Sequence, residues 1–288
     1  MTLYPQDDDV SLAPGFWFLA PYGGHDSKII APKGGFIGPH IYDHDGSLIW
    51  SPVSLVEAGR LGAAEAYTLS QVDWGQGSGV EQMLTAMDIR TQKAVMINNR
   101  YEISRTEEAS GPGAYNTHEL NFVDNGTRAL VVYSQFAHDS TEAESKLVGF
   151  EGRCHSTCNG LVEYAVESWE PTFLWSSCEG EYGAGSITLE ESTMDDPELV
   201  QEKCSSQWDY VHANSADKTS EGDFILSARH ADTLYKISSV DGSIIWRLGA
   251  RDSDFIHVDD FKFTRQHHVR YHGKRLAGLL SCFWHLPI

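Results

Sequence analysis

The hexapeptide DGSLIW at 45–50 returns as DGSIIW at 241–246, 196 residues later. Four equal steps of about 49 residues fill that interval, close to the roughly 40–50 residues of one four-stranded propeller blade. In each copy Asp-Gly suits a tight hairpin turn, and the Leu/Ile-Ile-Trp strand after it supplies a large apolar plug to pack between neighbouring sheets. A calcium loop on Asp43 and Asp45 is the alternative; the turn needs no ion and is preferred.

A chain assembled from such units must consist mainly of short strands. WFLAPYG (17–23), ALVVYSQF (129–136), DFILSARH (223–230) and TLYKISS (233–239) are rich in β-branched and aromatic residues and are punctuated by Gly, Asp and Asn. The best helical pattern is one short stretch, 56–67. A second repeat interleaves with the first: HELNFVDNGTRALVVYS (118–134) and HANSADKTSEGDFILSARH (212–230) both read as histidine, a short strand, an acidic or Gly turn, then an apolar strand. RQHHVRYH (265–272) opens the same unit a third time. The expected fold is all-β, a β-propeller of four-stranded blades. The first strand of each blade lines the central axis, so His118, His212 and His267 are expected to converge although they are distant in sequence.

Acidic side chains outnumber basic ones by twenty, a balance that repels polyanions and argues against nucleic acid or an anionic membrane as partner. There is no apolar run of about 18 residues to span a bilayer. The start, MTLYPQDDDVSLAPG, lacks the basic then apolar pattern of a secretory signal. Cysteine usage points the other way. Cys154, Cys158, Cys178 and Cys204 lie within about fifty residues, as a local disulfide set of an oxidising compartment does, with the pairing open and Cys282 left over. A zinc site on Cys154, His155 and Cys158 would lack a second paired half. The sequon Asn125-Gly126-Thr127 fits a secreted glycoprotein. No metal or cofactor is expected.

QWDYVHANSADK (207–218), GDFILSARHADTLYKI (222–237), DGSIIWRLGARDSDF (241–255) and FTRQHHVRYH (263–272) together resemble the fungal branch of the arylsulfotransferase-like β-propellers. GFWFLAPYG, GPHIYDHDGSLIW and HELNFVDNGTRALV add weaker support, and the resemblance covers roughly 14–272. It implies a six-bladed propeller that moves a sulfuryl group between phenols, ping-pong, through a sulfated histidine and without a nucleotide donor. Carried over, the nucleophile is His267. His212 and Asn214 hold the sulfuryl oxygens, Arg229 neutralises them, and His118 completes the ring. Trp208 and Tyr210, beside His212, are substrate-binding candidates, although blade packing suits them better. His230 and His272 have no assigned role.

Those residue types suit the reaction. A neutral imidazole has a free lone pair near neutral pH and can attack sulfur, provided a fixed acceptor on its other nitrogen sets the tautomer. The transferring oxygens need donors already in place, and a second histidine is the natural general base for the acceptor phenol. The expected partner is a phenolic or tropolone-like small molecule, bound by a protein that is monomeric when complete.

The sequence departs from the family in three places. His268 stands where an acidic residue would orient the nucleophile. Residues 273–288 are read as an aberrant tail, without the family's next strand, after an incomplete propeller domain at 14–272 and an N-terminal segment at 1–13. The unpaired edge this leaves is an aggregation hazard, so the chain is expected to fold poorly alone. Relatives carry a secretion signal that is not seen here, which leaves localisation open. Two other readings use the same scaffold: a hetero-Diels-Alderase of a tropolone-terpenoid type secondary-metabolite pathway, in which the histidines and Arg229 only polarise a carbonyl, and a non-catalytic or inactive propeller. A quinone-dependent dehydrogenase is disfavoured because no second set of carboxylate ligands is present.

Overall fold

The computed structural model describes residues 14–20, 38–57, 61, 64–75, 77, 79–111, 113–178, 185–256, 262–273 and 279–283. The chain divides into two compact units, residues 1–71 with 82–108, and residues 72–81 with 109–288. In the first unit a three-stranded antiparallel sheet comprises β1 (Phe16–Leu19), β2 (His40–Asp43) and β3 (Leu48–Trp50), followed by the short helix α1 (Val53–Glu57). A four-stranded meander follows: β4 (Ala64–Asp73), β5 (Val80–Asp88), β6 (Lys93–Ile97) and β7 (Ile103–Glu107).

The helix expected over 56–67 is corrected by these elements. The described helix is Val53–Glu57, and Ala64–Asp73 is strand. Tyr67, Thr68 and Val72 favour a pleated surface over a helix, and Ser70 reaches across to the neighbouring strand through a 2.8 Å hydroxyl contact with Thr85. The DGSLIW turn forms as expected: Asp43 Oδ1 accepts the main-chain N–H groups of Asp45 and Ser47. Trp50 then stacks on Tyr101 at a 5.1 Å centroid separation and packs against Ile41, Leu55, Leu84 and Ile97.

The second unit holds two further four-stranded meanders in simple order. One comprises β8 (Ala114–Val123), β9 (Arg128–Asp139), β10 (His155–Ala165) and β11 (Glu170–Ser176), with α2 (Glu142–Leu147) between β9 and β10. After α3 (Pro197–Ser206) comes the other: β12 (Ala213–Lys218), β13 (Phe224–Ala228), β14 (Thr233–Ile237) and β15 (Ile244–Gly249). A two-stranded sheet, β16 (His267–His272) with β17 (Leu279–Phe283), ends the described chain. Within the 273–288 segment, β17 pairs antiparallel with β16.

Strand alternation explains how these sheets stack. On β13 every residue of FILSA is buried, and successive side chains point to opposite faces. Phe224, Leu226 and Ala228 enter the cluster that includes Leu130, Val132, Leu161 and Trp175 of the preceding sheet. Ile225 enters a separate cluster with Phe263 and Val269, on the side of β16. The β12–β15 sheet is therefore covered on both faces by its neighbours, a β-propeller-like, all-β arrangement. In the DGSIIW copy, Asp241 Oδ1 accepts from the Ser243 N–H, and Trp175 Nε1 donates to Gly242 O at 2.9 Å, locking that turn onto the preceding sheet.

Side chains tie the first strands of the three sheets together, with β12 between β8 and β16. From β8, Asn116 and Asn121 donate to Ala213 O and Ala216 O, and the Ala216 N–H donates to Glu119. On the other side, the Val269 and Tyr271 N–H groups of β16 donate to Ser215 Oγ and Asp217 Oδ2. Backbone groups that no ladder partner reaches are satisfied in this way.

Two disulfides form, Cys154–Cys204 and Cys158–Cys178, which resolves the pairing. Loops of about 50 and 20 residues correspond to roughly 4 and 3 kcal/mol in the chain-entropy account. Cys282 lies on β17, whose side chains are outside the described residues. The sequon residue Asn125 occupies an exposed turn between β8 and β9 at φ 56°. Beside the second disulfide, a Cβ on Gly160 would lie 2.1 Å from Trp175 O and 2.4 Å from a Tyr133 ring carbon. Gly160→Ala is expected to destabilise the protein by about 1–3 kcal/mol, read from the urea midpoint; an unchanged midpoint would show that this contact relaxes freely.

Candidate active site

Alternation along β8 puts Asn116 and His118 on one face and Tyr115, Thr117 and buried Glu119 on the other. His212 immediately precedes β12, and His267 is the first residue of β16. Each of these strands carries a register shift at the level of its histidine: between Tyr115 and Leu120, between Ala213 and Ser215, and between His267 and Arg270. Bulges of this kind re-aim side chains. His212, Arg265 and His268 also adopt φ of 50°, 53° and 56°. That left-handed backbone costs about 1–2 kcal/mol per non-glycine residue and gathers where geometry serves function.

The three histidines meet as the in-register repeat requires. The His118 ring centroid lies 5.2 Å from that of His212 and 6.1 Å from that of His267. Each imidazole is held through Nδ1. Asn116 donates its amide N–H to Ala213 O, which turns Asn116 Oδ1 toward His118 Nδ1. Asp209 Oδ2 takes His212 Nδ1 at 2.7 Å, while its Oδ1 accepts from the His212 N–H and from Asn159 Nδ2. His267 Nδ1 donates to the main-chain carbonyl of Arg265 at 2.9 Å. An Nδ1–H directed at an oxygen acceptor leaves the lone pair on Nε2, the form suited to attack or to base catalysis. The orienting acceptor that the sequence lacks at position 268 is thus supplied by the backbone two residues before His267.

Arg229 and His230 follow β13, and their N–H groups donate to His212 O and Val211 O. Arg229 Nη1 donates to His230 Nε2 at 2.7 Å, and His230 Nδ1 to Asp209 O at 2.6 Å. Burial, aided by the nearby His212 and Arg229 charges, pushes His230 down to about 4, so it is neutral and free to accept from the guanidinium. Arg229 is itself lowered, first by burial and then by the charge of Arg265. Among the described residues neither guanidinium forms an ion pair, and Arg265 Nη1 is buried without a hydrogen-bond partner. The charges of Asp232 and Asp209 offset part of the lowering at Arg229.

Other predicted residues sit behind this cluster. Asn214 is buried and donates to Gln266 O at 2.7 Å, so it fixes the strand that presents His267. Trp208 and Tyr210 are 2% and 3% exposed, within the core cluster, and the Tyr210 hydroxyl donates to Ile187 O. Their place is corrected from substrate-binding to packing. His272 lies at the exposed end of β16. Asp209, His212 and His230 bring potential metal-ligand atoms within 4.8 Å, but hydrogen bonds already occupy the Asp209 oxygens and both His230 nitrogens, and a guanidinium adjoins them. The sulfurs of Cys158 and Cys178, close to His138, are committed to a disulfide.

Sequence reasoning missed Asn116, Asp209 and Arg265. Each lies two or three residues before a predicted histidine, and that recurring offset was the available signal. It also missed Glu119 and Arg270, which join β8 to β16 through a two-pronged ion pair of 2.8 and 3.0 Å.

Fold and site together define a β-propeller-like, all-β protein in which three histidines from different sheets come together. The chain belongs to the arylsulfotransferase (ASST) family, whose sequence profile matches residues 68–280. No curated protein matches it. Among solved structures it is similar to a Bacteroides caccae protein of unknown function, at 11% identity and a TM-score of 0.35, over 90% of this chain and 80% of that one. It is also similar to the Dos1 propeller, at 8% identity and a TM-score of 0.33, over 75% of this chain and 55% of that one.

Proposed function

We propose that this chain transfers a sulfuryl group from an aryl sulfate to a second phenol through a histidine intermediate. The observation that carries the reading is the meeting of His118, His212 and His267, with Arg229 reaching the cluster through His230 and the charge of Arg265 close to Arg229. Family membership supports an arylsulfotransferase-like function in general. The His267 Nε2 lone pair attacks sulfur, an N–S bond forms, and the aryl oxygen–sulfur bond breaks with its electron pair leaving on the phenolate. The phenolate leaves, and His212 stands neutral with its lone pair on Nε2. It then takes a proton from the incoming phenol, whose oxygen attacks sulfur as the N–S bond breaks, neutral His267 returns, and His212 passes that proton to the departed phenolate through solvent. Arg229 and Arg265 meet the sulfuryl oxygens, and Asp209 stabilises the imidazolium that His212 becomes. Two disulfides suit such an enzyme to an oxidising, secretory compartment.

The test is a single turnover of radiosulfur-labelled para-nitrophenyl sulfate without acceptor. A stoichiometric burst of nitrophenolate is expected, with acid-labile label on the protein that added phenol discharges. Neither burst nor label, with folded protein, would overturn the reading.

A further inference from the structure

Asp209 touches two arms of the site through chemically different atoms. Its carboxylate takes His212 Nδ1 at 2.7 Å and the His212 N–H at 3.0 Å. Its main-chain carbonyl takes His230 Nδ1 at 2.6 Å, and His230 Nε2 in turn receives Arg229 Nη1 at 2.7 Å. The carboxylate does not swing freely. Asn159 Nδ2 holds Oδ1 at 2.7 Å, and Asn159 is itself fully buried, its own Oδ1 accepting from the Ala213 N–H and from Ser134 Oγ. Burial works against an ionised Asp209, yet the hydrogen bonds from His212 and Asn159 counter it, and the group is held below the usual carboxylate range.

The other two histidines use Nδ1 on different groups. His118 Nδ1 meets a neutral amide oxygen and His267 Nδ1 a neutral peptide carbonyl. Behind His212 stands a carboxylate, that of Asp209.

We infer that Asp209 is a positioning residue that sets both the proton-handling and the anion-binding arms of the site, locking His212 in the Nδ1–H form through its side chain and aiming Arg229 through its main-chain carbonyl and His230. The inference deepens the sulfuryl-transfer reading and rests on it for the meaning of the two arms. The anchoring itself does not depend on which substrate is used. It assigns a role to His212: with an anion behind it, this imidazole is built to carry a proton.

The two contacts provide an internal control, because Asp209→Asn changes the carboxylate and leaves the carbonyl in place. The measurement is heteronuclear NMR of imidazole nitrogens in isotopically labelled full-length protein. In the wild type, His212 and His230 should both show a pyrrole-like Nδ1 and a pyridine-like Nε2. A wild-type His212 carrying its proton on Nε2 would overturn the inference without any variant. In Asp209→Asn, the His212 signature should change while that of His230 stays. Loss of both patterns together, or of neither, would also overturn it. The kinetic companion is transfer from para-nitrophenyl sulfate to phenol, where Asp209→Asn should lower kcat by roughly 10²- to 10⁴-fold with little change in KM. If NMR gives the expected pattern and the wild type shows no transfer, the anchoring stands and the sulfuryl-transfer reading falls.

Discussion

His267→Ala is expected to lower sulfuryl transfer from para-nitrophenyl sulfate to phenol by at least about three to four orders of magnitude, and to abolish protein labelling in the single-turnover experiment. The size of the effect follows from the role. A residue that donates to the sulfuryl oxygens contributes about a hundredfold to a thousandfold, and its loss leaves the covalent path intact. Loss of the nucleophile removes that path. The fold should tolerate the change, because His267 is part-buried at the start of β16 and not a member of the apolar core. Free imidazole in the buffer should restore part of the activity by entering the vacated space and accepting the sulfuryl group itself. His118→Ala serves as comparison, since it removes a ring of the same size from the same cluster. It should keep the label and slow the turnover. If His267→Ala retained more than about a tenth of wild-type turnover, the covalent intermediate would be ruled out. A site in which these groups only polarise a carbonyl for cycloaddition predicts that milder result.

The contrast between His267 and its surroundings shows which features a sequence carries. The position of each histidine was legible because a strand repeat places equivalent residues at equivalent depth, and the copies at 118–134, 212–230 and 265–272 mark that depth. Strands such as FILSA and TLYKI were legible because β-branched and aromatic residues run between turn formers. What holds the imidazoles was less so. Asp209, Asn116 and Arg265 O act through bulged or left-handed backbone, and a one-residue bulge changes which groups face each other without leaving a compositional trace. The segment at 56–67 misled because alanine and glutamate suit a helix locally, while the cross-strand partner that settles the matter, Thr85, lies fifteen residues beyond Ser70. Disulfide pairing was beyond reach for a simpler reason: four cysteines allow three connectivities.

Contacts of long sequence separation are the least legible of all, and the pair Glu119–Arg270, 151 positions apart, carries the second large expectation. Glu119 is 2% exposed and receives both prongs of the guanidinium together with the Ala216 N–H, so that one carboxylate joins β8, β12 and β16. Burial raises its pKa, and Arg270 and the Ala216 N–H counter that only in part. Arg270→Ala leaves a buried carboxylate without its cation, a change that typically costs about 3–5 kcal/mol. In a domain of this size the melting temperature should fall by about 10 °C. The deficit has a pH signature. Without Arg270 the folded-state pKa of Glu119 rises further above its unfolded value, so the variant's stability is fullest at low pH and is lost as pH rises through that raised pKa. The gap between wild type and variant should therefore widen from about pH 5 to pH 8, read from urea midpoints at several pH values. Adding Glu119→Gln to an Arg270→Met background removes the buried charge and keeps an oxygen acceptor for the Ala216 N–H, and should recover most of the loss. A variant that melts within about a degree of wild type at pH 8 would mean that packing alone holds the three inner strands, and with them the histidines, in place.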